Sequence, residues 1–432
     1  MKKKSIITVG LKSCTKYVLT HSALQTLTLM LLSTVLFSFT TPGVSQGKAK
    51  KASHKEQVWV GTWSSAPYYV DANNVPPAPG LTNNSLRQIV RVSVGGDKAR
   101  FRFTNLFCKN AVVLKSVGIA VSKGGSDIEA KTSKVLTFAG KEGVTMSAET
   151  EIVSDPISFH LEPGMKVAIT ICFGEAGPGI GGHAASRTTS YLLQGNQSVL
   201  ADFAKSIPTD HWFVIRGIDV MAPPSTAAIA IIGNSIADGR GSGTSKFNRW
   251  SDVFSERLLQ NSTTKHRAVL NLGIGGNCVV HGGQGQPAVT RFDRDILEQN
   301  NVKWLIISEG INDIGGIRTS EQASQMAHDL IEAFKQMIDK AHAKGMKVYG
   351  ATILPFGKSF YDKDFRQTAR DTVNAWIRTS GSFDAVIDFE KVMVDPNEPK
   401  ALLPTLHSGD FLHPNEAGYA KMGEFIDLKL FE

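Results

Sequence analysis

The hydrophobic pattern of this chain changes its period at one place, and that change limits the available folds more than any other feature. From about residue 58 to about residue 219, apolar and polar residues mostly alternate, as in Val90-Arg91-Val92-Ser93-Val94 and Arg100-Phe101-Arg102-Phe103. A period of two belongs to strands with one buried face. Further short segments of this kind, at 111–114, 117–121, 135–138, 157–161, 166–172 and 190–193, are mostly separated by Gly, Pro, Asp and Asn clusters, with no convincing helix. Gly95-Gly96-Asp97 reads as the turn of a hairpin joining residues 90–94 to 100–103. An all-β sandwich over residues 58–222 is the expectation.

Met221-Ala222-Pro223-Pro224-Ser225 breaks the pattern and reads as a linker. Beyond it, continuous apolar runs at 227–232, 268–272, 303–308, 347–353 and 385–389 alternate with helical stretches. Between Ser320 and Lys344, apolar residues from Ala323 to Ala341 recur at helical spacing on one side, and Gly345 follows as a C-cap. Residues 249–260, 364–378 and 415–428 supply further helices. Strands apolar on both faces, with helices between them, predict an α/β fold over residues 223–432 with a doubly wound five-stranded parallel sheet.

The first 45 residues stand apart. Lys2, Lys3, Lys4, Lys12 and Lys16 precede an apolar run from Ala23 to Phe39, and Gly43-Val44-Ser45 offers small residues for cleavage. This is the pattern of a secretory signal peptide, which predicts a secreted or periplasmic protein; an uncleaved N-terminal anchor is the alternative. Residues 46–57 read as a flexible polar leader. Removing those five lysines lowers the formal net charge from +8 to +3. No dense basic stripe follows, so the charge does not point to a nucleic-acid partner. Cys108, Cys172 and Cys278 remain, an odd number, so at least one thiol is unpaired in a monomer. A Cys108–Cys172 bridge stays open, and no cysteine or histidine spacing fits a metal.

In an open parallel sheet, ligands bind beyond the carboxyl ends of the strands. After the first expected strand comes Gly233-Asn234-Ser235-Ile236, a serine on a strand-to-helix turn. After the second comes Asn271-Leu272-Gly273-Ile274-Gly275-Gly276-Asn277, whose glycines let a backbone N–H face a cavity. After the third comes Glu309-Gly310-Ile311-Asn312-Asp313, where Asn312 offers a side-chain NH2. Near the C-terminus, Asp410 and His413 lie three apart, a spacing that lets the carboxylate orient the imidazole.

These four blocks, in this order over about residues 227–430, resemble those of the SGNH hydrolases, also called the GDSL esterase/lipase family. The resemblance implies a flavodoxin-like sheet and a serine ester hydrolase. It implies Ser235 as nucleophile, Asp410 and His413 as its catalytic partners, and an oxyanion hole from Ser235, Gly276 and Asn312. It implies no metal or organic cofactor. The departure is Asn234, where the family usually has Asp. The runs 236–242 and 291–294, with the β-rich region before them, resemble a two-domain subset, some of whose members look like acetylxylan esterases and other carbohydrate esterases.

The favoured substrate class is therefore an O-acyl ester, acetyl first, on a small molecule or polysaccharide. A lipase or lysophospholipase is the alternative, and a non-catalytic glycan-binding protein is the alternative from another class. Trp59, Trp63, Tyr68 and Tyr69 are candidates for a sugar platform, although aromatics in a β-rich region more often fill a core. His183, Arg187, His281, Glu309 and His407 receive no site role. The sequence leaves the oligomeric state open.

Overall fold

The computed structural model describes residues 56–177 and 179–432. The expected signal peptide and all but the last two residues of the leader lie outside the described residues. Among the described residues, no helix is long and apolar enough to cross a membrane.

The β-rich region forms two main antiparallel sheets. One contains the strands Val58–Ser64, Ile215–Ala222, Gly96–Thr104, Glu151–Val153 and Ile157–Leu161. The larger is built around Ser85–Arg91, Val112–Gly124 and Lys166–Ala176. Val60, Phe101, Phe103 and Val220 of the first sheet and Leu86, Val90, Ile119 and Ile171 of the second belong to one buried core. The expected hairpin at Gly95-Gly96 is not one. Ser85–Arg91 pairs with Lys166–Ala176, whereas Gly96–Thr104 pairs with Ile215–Ala222, so the chain crosses between sheets here. The Ser93 hydroxyl donates to the Thr62 carbonyl at 2.7 Å, and the Thr62 hydroxyl to the Val94 carbonyl at 2.6 Å. These bonds satisfy the connecting segment without a ladder partner. The two segments expected at 111–114 and 117–121 are one strand, Val112–Gly124.

The expected linker is a tight turn, closed by Thr226 N–H donating to the Pro223 carbonyl at 2.9 Å. The parallel sheet follows, with strands β1 (Ala227–Gly233), β2 (Arg267–Gly273), β3 (Val302–Ser308), β4 (Lys347–Ala351) and β5 (Ala385–Ile387). Their spatial order is 2-1-3-4-5, all parallel. Every residue of β1 is buried, as a central strand covered on both faces requires. The helices expected around residues 320–344 and 364–378 run Glu321–Ala343 and Asp364–Thr379.

The β-rich region covers the edge of this sheet. Gly61 packs so closely on β2 that a Cβ there would lie 2.9 Å from Leu270 Cδ1. Val269 N–H donates to the Ser93 hydroxyl at 3.1 Å, so an otherwise open strand edge finds a partner.

The order 2-1-3-4-5 reverses direction between β1 and β3, which is where such sheets bind ligands. Gly233 pairs with Gly273 of β2 and with Ser308 of β3, so three strand ends meet at one level.

Candidate active site

Ser235 is placed by backbone constraints that its neighbours satisfy. A Cβ at Gly233 would meet Ala237 Cβ at 2.4 Å, so only glycine lets the chain leave β1 this tightly. Asn234 caps the short helix Ser235–Asp238, its Oδ1 accepting the Ile236 N–H at 3.0 Å. Its Nδ2 donates to Glu309 Oε2 at 3.2 Å and faces the Ser308 carbonyl at 3.4 Å. Aspartate, usual here in the resembling family, would turn a second carboxylate towards Glu309. The amide keeps the cap and adds a donor. Burial pushes the Glu309 carboxyl up to about 8, against the pull of Arg291.

The serine, histidine and aspartate come together. Ser235 Oγ lies 2.9 Å from His413 Nε2, and His413 Nδ1 lies 2.6 Å from Asp410 Oδ2. The other carboxylate oxygen of Asp410 accepts the N–H groups of Leu412 and His413 at 3.0 and 2.9 Å. Partial burial raises the Asp410 carboxyl, but these bonds and the imidazole outweigh it and hold the group down at about 2. Burial pulls His413 below its ordinary value of 6.5, Asp410 opposes that shift, and the charges of Arg240 and Arg187 add to it. The ring is thus kept neutral near neutral pH, with its Nε2 lone pair facing the hydroxyl. Such an arrangement can take the proton of an attacking hydroxyl.

Gly276 and Asn312 border the same cavity as Ser235 and His413, about 460 Å³ in volume. Among the described residues, neither the Ser235 nor the Gly276 N–H is spent on a hydrogen bond within the fold. Gly276 has φ 73°, a left-handed conformation that favours glycine. Asn312 donates one amide hydrogen to the Asn277 carbonyl at 2.7 Å, and its Oδ1 accepts from the Tyr361 hydroxyl at 3.0 Å. Both bonds fix the amide's orientation and leave its second hydrogen free. Asp313 holds the 276–280 loop, accepting the Val279 and Val280 N–H groups at 2.9–3.0 Å. All five residues expected in the site are therefore within one constellation.

Several neighbours escaped sequence reasoning. His183, from the β-rich region, is buried with Nε2 2.8 Å from Asp238 Oδ1 and Nδ1 2.9 Å from the Ala66 carbonyl. The other oxygen of Asp238 accepts the Gly275 N–H at 2.9 Å, so this pair ties the β-rich region to the glycine loop. Burial opposes the ionisation of Asp238, but His183, Arg187 and Arg249 together hold it below its ordinary value. Arg291 lies wholly buried beneath the strand ends, donating to the Leu272 carbonyl at 2.8 Å, the Gly233 carbonyl at 3.3 Å and Asn277 Oδ1 at 3.0 Å. Arg187 and Tyr68 also line the cavity. The Gly-rich run before His183 and Arg187 was the available signal.

The other candidates separate. Trp63 is buried against Trp212, ring centroids 5.1 Å apart, and Trp59 lies under Arg100. Tyr69 is exposed, and of the four aromatics only Tyr68 reaches the cavity. His407 accepts the Gly409 N–H at 3.0 Å and so shapes the Asp410 loop. His281 borders a neighbouring cavity of about 590 Å³. Cys108, Cys172 and Cys278 are free and buried, and burial pushes the Cys278 thiol, beside the second cavity, up to about 12.

The flavodoxin-like sheet and the family of its sequence define the class, a serine carboxylic ester hydrolase. Residues 231–421 match the model of the GDSL-like Lipase/Acylhydrolase family, and the chain carries a domain of that family, the SGNH fold, in its C-terminal half. No curated protein matches the chain. Among solved structures, a GDSL-like lipase from Bacteroides thetaiotaomicron VPI-5482 is 21% identical, with TM-score 0.33, covering 46% of this chain and 84% of its own. A catalytic mutant of an acetylxylan esterase from Geobacillus stearothermophilus is 18% identical, with TM-score 0.35, covering 46% and 91%. The acetyl xylan esterase AlAXEase is also 18% identical, with TM-score 0.36, covering 46% and 96%.

Proposed function

We propose that this protein is an exported esterase that removes O-acyl groups, acetyl foremost, from carbohydrate by way of a Ser235 acyl-enzyme. The observation that carries the reading is the unbroken relay Ser235 Oγ–His413–Asp410 at the wall of an open cavity. In this mechanism His413 removes the Ser235 proton as the hydroxyl attacks the ester carbonyl. The N–H groups of Ser235 and Gly276 and the free Asn312 amide hydrogen receive the oxyanion. Losing one such donor costs about 3–4 kcal/mol in a comparable site. His413 returns the proton to the leaving alcohol, then activates the water that releases the acid.

The polarity of the wall supports a sugar as the alcohol. Asn74, Asp210, His211, Thr244 and Gln284 border the cavity and offer donors and acceptors suited to hydroxyl groups. The signal-like N-terminus supports export. One observation favours a lipid ester instead. The neighbouring cavity is bordered by Ile317, Met326 and Tyr361 and shares Gly276 and Asn312 with the first, which gives a longer acyl chain a place to lie.

Turnover of p-nitrophenyl esters of increasing chain length separates the two readings. A strong preference for acetate, with acetate release from acetylated oligosaccharides, is expected; preference for octanoate or longer favours lipid. Ser235→Ala should abolish both activities, and near-normal turnover in that variant would remove the serine from its assigned role.

A further inference from the structure

Two arginines on the cavity wall make no close ion pair with a carboxylate, although the charge of Arg187 is felt at Asp238. Arg187 comes from the β-rich region, and Arg240 from the loop after the nucleophile helix. Among the described residues, neither guanidinium makes a hydrogen bond, and neither has a carboxylate within 4.0 Å. Arg187 is half-buried and Arg240 exposed, whereas other arginines around the site do have carboxylate partners. Arg249 pairs with Asp252, Arg291 with Asp295, and Arg294 with Asp295. Arg187 Nε is wholly buried and unpartnered. A desolvated guanidinium N–H without an acceptor costs free energy that the fold leaves uncompensated. Its backbone is also unusual, with φ 54°, a left-handed conformation that is uncommon outside glycine. The Ser245 N–H holds it there, donating to the Arg187 carbonyl at 2.8 Å.

The carboxylates nearby make no ion pair with either arginine. Asp238 is taken by His183 and Gly275, and Asp410 by His413 and its loop. Asp210, on the cavity wall, accepts the Thr189 hydroxyl at 2.9 Å. The charges of both arginines are nevertheless felt at the His413 ring, so they lie close enough to act on whatever is bound there.

We propose that Arg187 and Arg240 form an anion subsite beside Ser235, and that the preferred substrate is an O-acylated sugar bearing a carboxylate, a uronic acid unit. The inference rests on the carbohydrate reading above and narrows it. Planar guanidinium groups match carboxylate geometry and make charge-assisted bonds stronger than those a neutral hydroxyl can make. The arginines come one from each region of the protein, so the subsite exists only where the two regions face each other.

The test uses the full chain with Ser235→Ala, so that binding is read without turnover. Calorimetric titration with D-glucuronate, D-glucose and D-glucose 6-phosphate is compared, at two salt concentrations, with the same titrations after Arg240→Gln and after Arg187→Gln with Arg240→Gln. Glucuronate should bind at least tenfold more tightly than glucose. That preference should weaken with salt and disappear in the double variant. Equal affinity for glucuronate and glucose, no measurable binding of either, or a preference untouched by both arginine variants would overturn the subsite. Tighter binding of glucose 6-phosphate than of glucuronate would overturn the uronate assignment. A parallel assay with the Ser235 enzyme compares acetate release from 3-acetoxybenzoate and its methyl ester, which differ in the charge. The ratio of their kcat/KM values should fall at least tenfold in the double variant. Absence of ester hydrolysis altogether would sink the esterase reading, whereas the binding result judges the subsite by itself.

Discussion

Asn234 shows how one atom beside Ser235 can set the electrostatics behind it. Its amide caps the helix of Ser235 and donates to a buried carboxyl, Glu309. Replacing it by Asp turns that donor into a second acceptor, so above about pH 8, where Glu309 is ionised, Asn234→Asp should destabilise the fold by about 1–3 kcal/mol. In a Glu309→Gln background the same substitution should cost clearly less, which denaturant unfolding of the four proteins would read. Glu309 also has a pH signature of its own. Its carboxyl moves from an ordinary 4.5 to about 8 in the folded state, so the native protein binds the proton more tightly than the unfolded chain. Stability should therefore fall as pH rises from about 4.5 through 8, and Glu309→Gln should flatten that slope. At His413 the shift runs the other way for activity. A base held below 6.5 stays deprotonated to lower pH, so the acidic limb of kcat/KM should lie below 6.5; a limb at or above 7 would contradict the burial argument. Ser235, Asn312, Asp410 and His413 were legible in the sequence because each follows its strand or terminal turn in a short block. The roles of Glu309 and Arg291 were not, because their burial depends on strands paired far apart in the chain.

The elements around the site are held by bonds that cross between them. His183 on the short strand Gly181–His183 reaches Asp238 at the end of the helix Ser235–Asp238, and Asp238 holds Gly275. Both partners are buried, so deleting one leaves a charge without compensation. His183→Ala should cost about 3–5 kcal/mol in unfolding free energy. A loss below about 1 kcal/mol would mean that the pair is not the tie described. Strand positions in the parallel sheet were readable because each strand is a mostly apolar run between helices. The Gly95-Gly96 connection was misread because a glycine turn looks the same whether the chain returns along its own sheet or crosses to another. Only the pairing of Gly96–Thr104 with Ile215–Ala222, more than a hundred residues later, decides it. His183 and Arg187 received no site role for the same reason, since their Gly-rich loop hints at the cavity but nothing local to it announces Asp238.

At the scale of the molecule, the β-rich region is part of the site. It supplies Tyr68, Asn74, Arg187, Asp210 and His211 to the cavity wall and covers the edge of β2 through Gly61 and Ser93. A chain beginning at residue 223 would expose Leu270 and the Val269 N–H along that edge. It should aggregate, or bind a hydrophobic dye far more strongly than the whole protein. A monodisperse, fully active fragment would show that the β-rich region is dispensable. The central claim is more local, that Ser235 is the nucleophile that carries the acyl group. Labelling the protein with a fluorophosphonate and mapping the adduct by peptide mass spectrometry tests it most directly. One adduct per chain on Ser235, with parallel loss of esterase activity, is the predicted result; an adduct elsewhere, or full activity after Ser235 is blocked, would contradict it.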